Sequence, residues 1–107
     1  MTAGKGIVHA EMPGSWEQDS YGFQLWINLT SKSKFCEPGY QEFSAKNIPQ
    51  YKDNQMIAKV ISGDVFGVKG PIVARTPTYF IDFQFAEKGA VYYHDIPAGW
   101  SSLVVCY

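Results

Sequence analysis

Two residues carry the most specific chemistry in this sequence: His9 and Glu11, within Ile7-Val8-His9-Ala10-Glu11-Met12. The run is short and β-compatible, and side chains at i and i+2 of a strand share a face. An imidazole nitrogen and a carboxylate oxygen are therefore expected to project together, toward a concave face. Histidines with a carboxylate are the donors of non-haem iron sites. Two donors alone leave most of an octahedral sphere to water, so this pair by itself is expected to hold a metal weakly. The one other histidine, His94, lies far along the chain. It stands in Tyr92-Tyr93-His94-Asp95, where neighbours on an extended chain face opposite ways. No His94–Asp95 dyad is expected there, and the segment reads as a solvated loop.

Other reactive groups read as ordinary. Cys36 and Cys106 share no zinc-like spacing and form no disulfide framework, so they read as plain thiols of a cytosolic chain. Asp82 alternates against an aromatic strand face and is expected at a solvent-facing or hydrogen-bonded position. Trp26 is expected to pack in a core, and Arg75 to form a surface ion pair. Gly4-Lys5-Gly6 is too short for a phosphate loop and is expected to make a tight turn ahead of His9.

The elements that must position these groups are mostly strands. Phe23, Leu25, Ile27 and Leu29 alternate with Gln24, Trp26 and Asn28, and Tyr79, Ile81, Phe83 and Phe85 alternate with Phe80, Asp82 and Gln84. Met56 to Ile61 is apolar and β-branched, and Leu103 to Tyr107 suits another strand. Turns are expected at Pro13-Gly14, Ser62-Gly63-Asp64, Gly67 to Pro71, Glu87-Lys88-Gly89 and Ile96 to Trp100. Tyr40 to Ile48 could hold a turn of helix. Pro49 to Gln55 is polar and aperiodic, the most linker-like stretch. No long amphipathic helix is evident, so the fold class is all-β, a barrel or sandwich.

With 107 residues, 46% of them apolar and 16% aromatic, the chain is long enough for one packed domain. A net charge of −1 with no basic stripe argues against direct nucleic-acid binding. No apolar run approaches a membrane span, and the N-terminus lacks signal-peptide organisation. Asn28-Leu29-Thr30 matches the glycosylation sequon and reads as a chance occurrence. Nucleus and cytoplasm are the expected compartments.

Several motifs, in order and spacing, resemble the pirin family. They are Met1 to Pro13, Gly22 to Leu29, Glu37-Pro38 with Tyr40-Gln41, Val60-Ile61-Ser62-Gly63, Arg75-Thr76-Pro77-Thr78, and Ile96-Pro97 with Gly99-Trp100. Pirins are two-cupin proteins, and two such barrels need roughly 200–300 residues. The resemblance implies partial cupin (RmlC-like jelly-roll) barrels, an incomplete bicupin. Residues 1–48 would be the remnant of the N-terminal cupin, 49–55 a linker, and 56–107 the start of the C-terminal cupin. A truncated gene model or an internal fragment is the expectation.

The resemblance also implies function. The family's N-terminal cupin binds one non-haem iron through three histidines and a glutamate; His9 and Glu11 match the later two ligands, and the earlier His-x-His has no counterpart here. Pirins cleave quercetin-like flavonols oxidatively and, in animals, co-regulate nuclear factor kappa-B transcription factors. Three readings follow. One is a quercetin 2,3-dioxygenase-type enzyme, with Glu11 taking a proton from the flavonol hydroxyl. Another is an iron-dependent module docking a transcription factor complex. The third is an incomplete chain with neither activity, the expectation for this polypeptide taken alone.

Overall fold

The computed structural model describes every residue, Met1 to Tyr107. All its regular structure is strand apart from two single 3-10 turns, Ser31–Ser33 and Ala45–Asn47. The strands are β1 (Gln50–Lys52), β2 (Met56–Ser62), β3 (Asp64–Val65), β4 (Val68–Lys69) and β5 (Phe80–Phe85). They form an antiparallel three-stranded sheet in the order β1-β2-β5 and a separate hairpin, β3-β4. Neither sheet closes, so the fold is all-β and open, a partial cupin-like arrangement.

β2 is central because its sequence suits burial on one face and pairing on both edges. Met56, Ala58, Val60 and Ser62 are buried in alternation, and Ile57, Lys59 and Ile61 are half-buried. Ala58, Val60 and Val65 form the core, with Tyr51, Val68, Ile81 and Phe83 against it. The β2–β5 register slips between Val60 and Ser62, which face Ile81 and Phe80 respectively. Ile61 is therefore the extra residue of a bulge. Its freed carbonyl accepts the Ile72 N–H at 3.1 Å, while the Ser62 hydroxyl donates to the Ile72 carbonyl at 2.9 Å. Gly70 lies so close to this bulge that a Cβ there would sit 2.7 Å from the Ile61 carbonyl.

The segment expected to be a linker contributes a strand. Gln50–Lys52 pairs with Lys59–Ile57 of β2. Its turn is built by Asp53, whose carboxylate accepts the N–H groups of Gln55 (2.7 Å) and Met56 (2.8 Å). Those two bonds, with the Tyr51 hydroxyl, hold the Asp53 carboxyl below its usual range. Within this segment the polar residues supply a side-chain-capped turn.

In the other direction, three expected strands form no ladder. Ile7–Met12, Phe23–Leu29 and Leu103–Tyr107 have no paired neighbour, and residues 1–49 contribute a lone bridge between Thr2 and Gly39. A strand exists only against a partner, and alternation alone does not supply one. Phe23, Leu25 and Ile27 stay 53%, 48% and 41% exposed.

Candidate metal centre

The segment bearing His9 is held in place by its contacts with residues 36–40. Thr2 and Gly39 exchange two backbone hydrogen bonds, 2.8 and 3.0 Å. The Lys5 N–H donates to the Cys36 carbonyl at 3.0 Å, and the Lys5 ammonium pairs with Glu37. The expected turn forms at Ala3–Gly6, closed by the Gly6 N–H on the Ala3 carbonyl at 2.9 Å. Gly4 there has φ +52° and faces the Cys36 carbonyl too closely for any Cβ. One residue before His9, the Val8 carbonyl accepts the Tyr40 hydroxyl at 2.7 Å. Next to Tyr40, the Gln41 side chain bridges to the second half: its amide donates to the Val73 carbonyl at 2.8 Å and accepts the Val73 N–H at 3.0 Å.

Beyond this clamp, His9 and Glu11 face the same way. His9 Nε2 lies 4.0 Å from Glu11 Oε1, and the two side chains are 42% and 70% exposed. Imidazole and carboxylate donors ligate first-row ions at about 2.0–2.2 Å, so neighbouring donors of one ion lie about 3 Å apart, and this exposed pair reaches that separation once one side chain turns inward by about 1 Å. The pair fits as two donors of such a centre. No group of three or more His, Cys, Asp or Glu side chains converges anywhere in the chain, so the residues present supply two donors and no third. Glu11 also lines an open depression of about 400 Å³ with Ser20, Tyr21, Gly22, Phe23 and Gln24.

A polar relay that the sequence analysis did not single out leads into Glu11. Gln24 Nε2 donates to Glu11 Oε1 at 2.5 Å, and Trp26 Nε1 donates to Gln24 Oε1 at 2.7 Å. The sequence showed only that Gln24 and Trp26 share the face of their segment opposite Phe23, Leu25 and Ile27, not that they reach Glu11. Trp26 is 84% exposed and not a core residue as expected. Its ring lies on the side of the segment where no second layer covers it.

The remaining candidates lie apart. His94 belongs to an aromatic cluster against β5: its Nδ1 is 2.9 Å from the Tyr92 hydroxyl, and its ring meets Tyr79 edge-on with centroids 5.1 Å apart. Its Nε2 is buried with no hydrogen-bond partner. The segment is therefore only half a solvated loop, with Tyr93 and Asp95 outward and Tyr92 and His94 turned inward. Burial raises the Tyr92 phenol above its ordinary value, with a smaller contribution from Asp95. Asp82 pairs with Lys59 at 3.3 Å and accepts the Tyr107 hydroxyl at 2.9 Å, as a hydrogen-bonded position should. Arg75 is exposed and forms none of the ion pairs. Both cysteines are free. No helix is long and apolar enough to cross a membrane.

No protein-family model matches the chain, and no solved structure does. Curated sequences match it along nearly its whole length. It is 45% identical to Pirin of Homo sapiens over 104 residues, covering 97% of this chain and 35% of that protein. It is 45% identical to Pirin-like protein 2 of Arabidopsis thaliana over 102 residues, 95% of this chain and 31% of that one. Pirin-1 of Arabidopsis thaliana is 44% identical over 102 residues, 95% and 34%. The chain spans about a third of the length of these relatives, and by its sequence it belongs to the pirin family.

Proposed function

We propose that this chain carries half of a pirin-type non-haem iron centre, His9 and Glu11, beside a depression where a flavonol-like substrate is received. The observation that supports this most is the 4.0 Å approach of His9 Nε2 to Glu11 Oε1 inside pirin-like sequence. In this reading residues 1–48 derive from an N-terminal cupin, 49–55 join it to the next, and 56–107 begin a C-terminal cupin. A bound iron would supply Lewis acidity toward adjacent flavonol oxygens and the redox capacity for oxidative cleavage. The protein's part is carried by its own groups. His9 and Glu11 hold the ion, and Gln24 occupies Glu11 Oε1, leaving Oε2 to receive a proton from a substrate hydroxyl in the depression.

The test compares the 107-residue chain with a longer pirin polypeptide that contains it and also carries an upstream His-x-His pair. After dialysis the longer protein is expected to retain iron and bleach flavonol absorbance under air, and the short chain to do neither. In the longer protein His9→Ala should abolish metal retention. Glu11→Gln should weaken retention less, because an amide oxygen still coordinates, and should impair turnover. Tight stoichiometric iron in the short chain would overturn the half-site reading.

A second reading rests on a different observation. Trp16, Tyr21, Trp26 and Phe35 are each 84–86% exposed, and large exposed rings favour contact with a protein partner, here a transcription factor complex. It predicts iron-dependent complex formation without flavonol turnover, in nucleus as well as cytoplasm.

A further inference from the structure

We infer that Gln24 is a positioning residue for Glu11, with its own orientation set by Trp26; the inference rests on the reading of Glu11 as a metal and proton-accepting group. A glutamine amide presents a donor at one end and an acceptor at the other, and either end can face a given neighbour. Here both neighbours are committed. An indole N–H only donates, and an ionised carboxylate only accepts. Trp26 Nε1 therefore selects Gln24 Oε1, at 2.7 Å, and leaves Gln24 Nε2 for Glu11 Oε1, at 2.5 Å. Only one of the two amide orientations satisfies both bonds.

The arrangement acts on geometry more than on stability. Glu11 is 70% exposed, and a free glutamate at such a position samples several rotamers. The Gln24 bond fixes Oε1, the oxygen that approaches His9. Outer partners of this kind change metal affinity by about 10–100-fold in metalloproteins, because they preset the ligand's direction. For an exposed two-donor site the lower end, about 10-fold, is expected.

The test uses the 107-residue chain, nitrogen-resolved NMR of its side-chain N–H groups, and Co²⁺ as the probe. Glu11→Ala is expected to shift the Gln24 amide pair and also the Trp26 indole N–H, which does not itself touch Glu11. Gln24→Met, of nearly equal length, should move the Trp26 signal to its solvent-exposed position and weaken Co²⁺ binding about 10-fold. Trp26→Phe keeps a ring and removes the N–H; it should weaken Co²⁺ in the same direction by less, and it carries the test if Gln24→Met does not fold. Gln18→Met, away from the site, should bind as the unmodified chain. A Trp26 signal indifferent to Glu11→Ala, or unchanged Co²⁺ affinity in Gln24→Met, would overturn the inference. An intact relay in a chain that binds no Co²⁺ would support the placement of Gln24 and overturn the metal half-site instead.

Discussion

Asp53 shows how one side chain converts a polar stretch into structure. Its carboxylate caps two backbone N–H groups and accepts the Tyr51 hydroxyl, and these bonds favour the charged form. Because its folded value lies below the unfolded one, its contribution is complete above the ordinary carboxylate value and fades as pH falls through the folded value. The protection factors of the Gln55 and Met56 amides, taken against their intrinsic exchange rates, are therefore expected to fall on acidification below about pH 4. Asp53→Asn should keep the turn, since an amide oxygen accepts the same bonds, and should flatten that pH response. Asp53→Ala should lose protection at every pH. Tyr40 plays the comparable part for the His9–Glu11 segment. Tyr40→Phe removes the bond to the Val8 carbonyl at a cost of about 1 kcal/mol. It should also broaden the His9 ring signals in NMR, because His9 follows the anchored carbonyl directly.

At the scale of elements, the motif Val60-Ile61-Ser62-Gly63 is a bulge with its fittings. Gly63 has φ +91° and faces the Tyr79 ring at a distance no Cβ could occupy, and Gly70 closes against the Ile61 backbone. Gly70→Ala meets backbone atoms that cannot rotate away, so it should destabilise the sheet by about 1–3 kcal/mol, read from amide exchange at Ala58 and Val60. β2 was legible in the sequence as an apolar, β-branched run and β5 by its period-two pattern, and the chain contains the partner of each. Phe23–Leu29 carries an equally clear pattern and forms no ladder, since alternation names the face that wants cover and not the strand that gives it. β1 was hidden for the opposite reason: three polar residues became a strand through register with β2 and a turn made by Asp53. The i, i+2 spacing foretold that His9 and Glu11 share a face, whereas their reading as metal ligands came from the pirin resemblance. Gln24 was not legible, because glutamine carries no reactive signature and its role exists only between Trp26 and Glu11.

The whole molecule is expanded for its mass. Its accessible surface is 9133 Å² where a folded 12.0 kDa chain exposes about 6,000 Å². Its radius of gyration is 15.9 Å against about 13 Å for this length. Only six residues are buried, and they cluster around β2 and the β3–β4 hairpin. Protection from amide exchange should therefore concentrate in β2 and β5, with residues 1–48 exchanging quickly. The purified chain should bind a hydrophobic dye, associate with rising concentration and melt without a sharp transition. A monomer by sedimentation with a cooperative melt and protected amides at Phe23–Leu29 would contradict that expectation.

Three of the side-chain contacts that hold the His9 segment and tie the halves together span one sequence distance. Lys5–Glu37, Val8–Tyr40 and Gln41–Val73 each join residues 32 apart. During synthesis at about 5–20 residues per second, each earlier partner waits roughly two to six seconds for the later one to be made. His9 and Glu11 thus leave the ribosome well before Tyr40 can anchor them, and Gln41 waits in turn while the β1–β2 turn forms. His9 and Glu11 are translated before the residues that fix their segment in place.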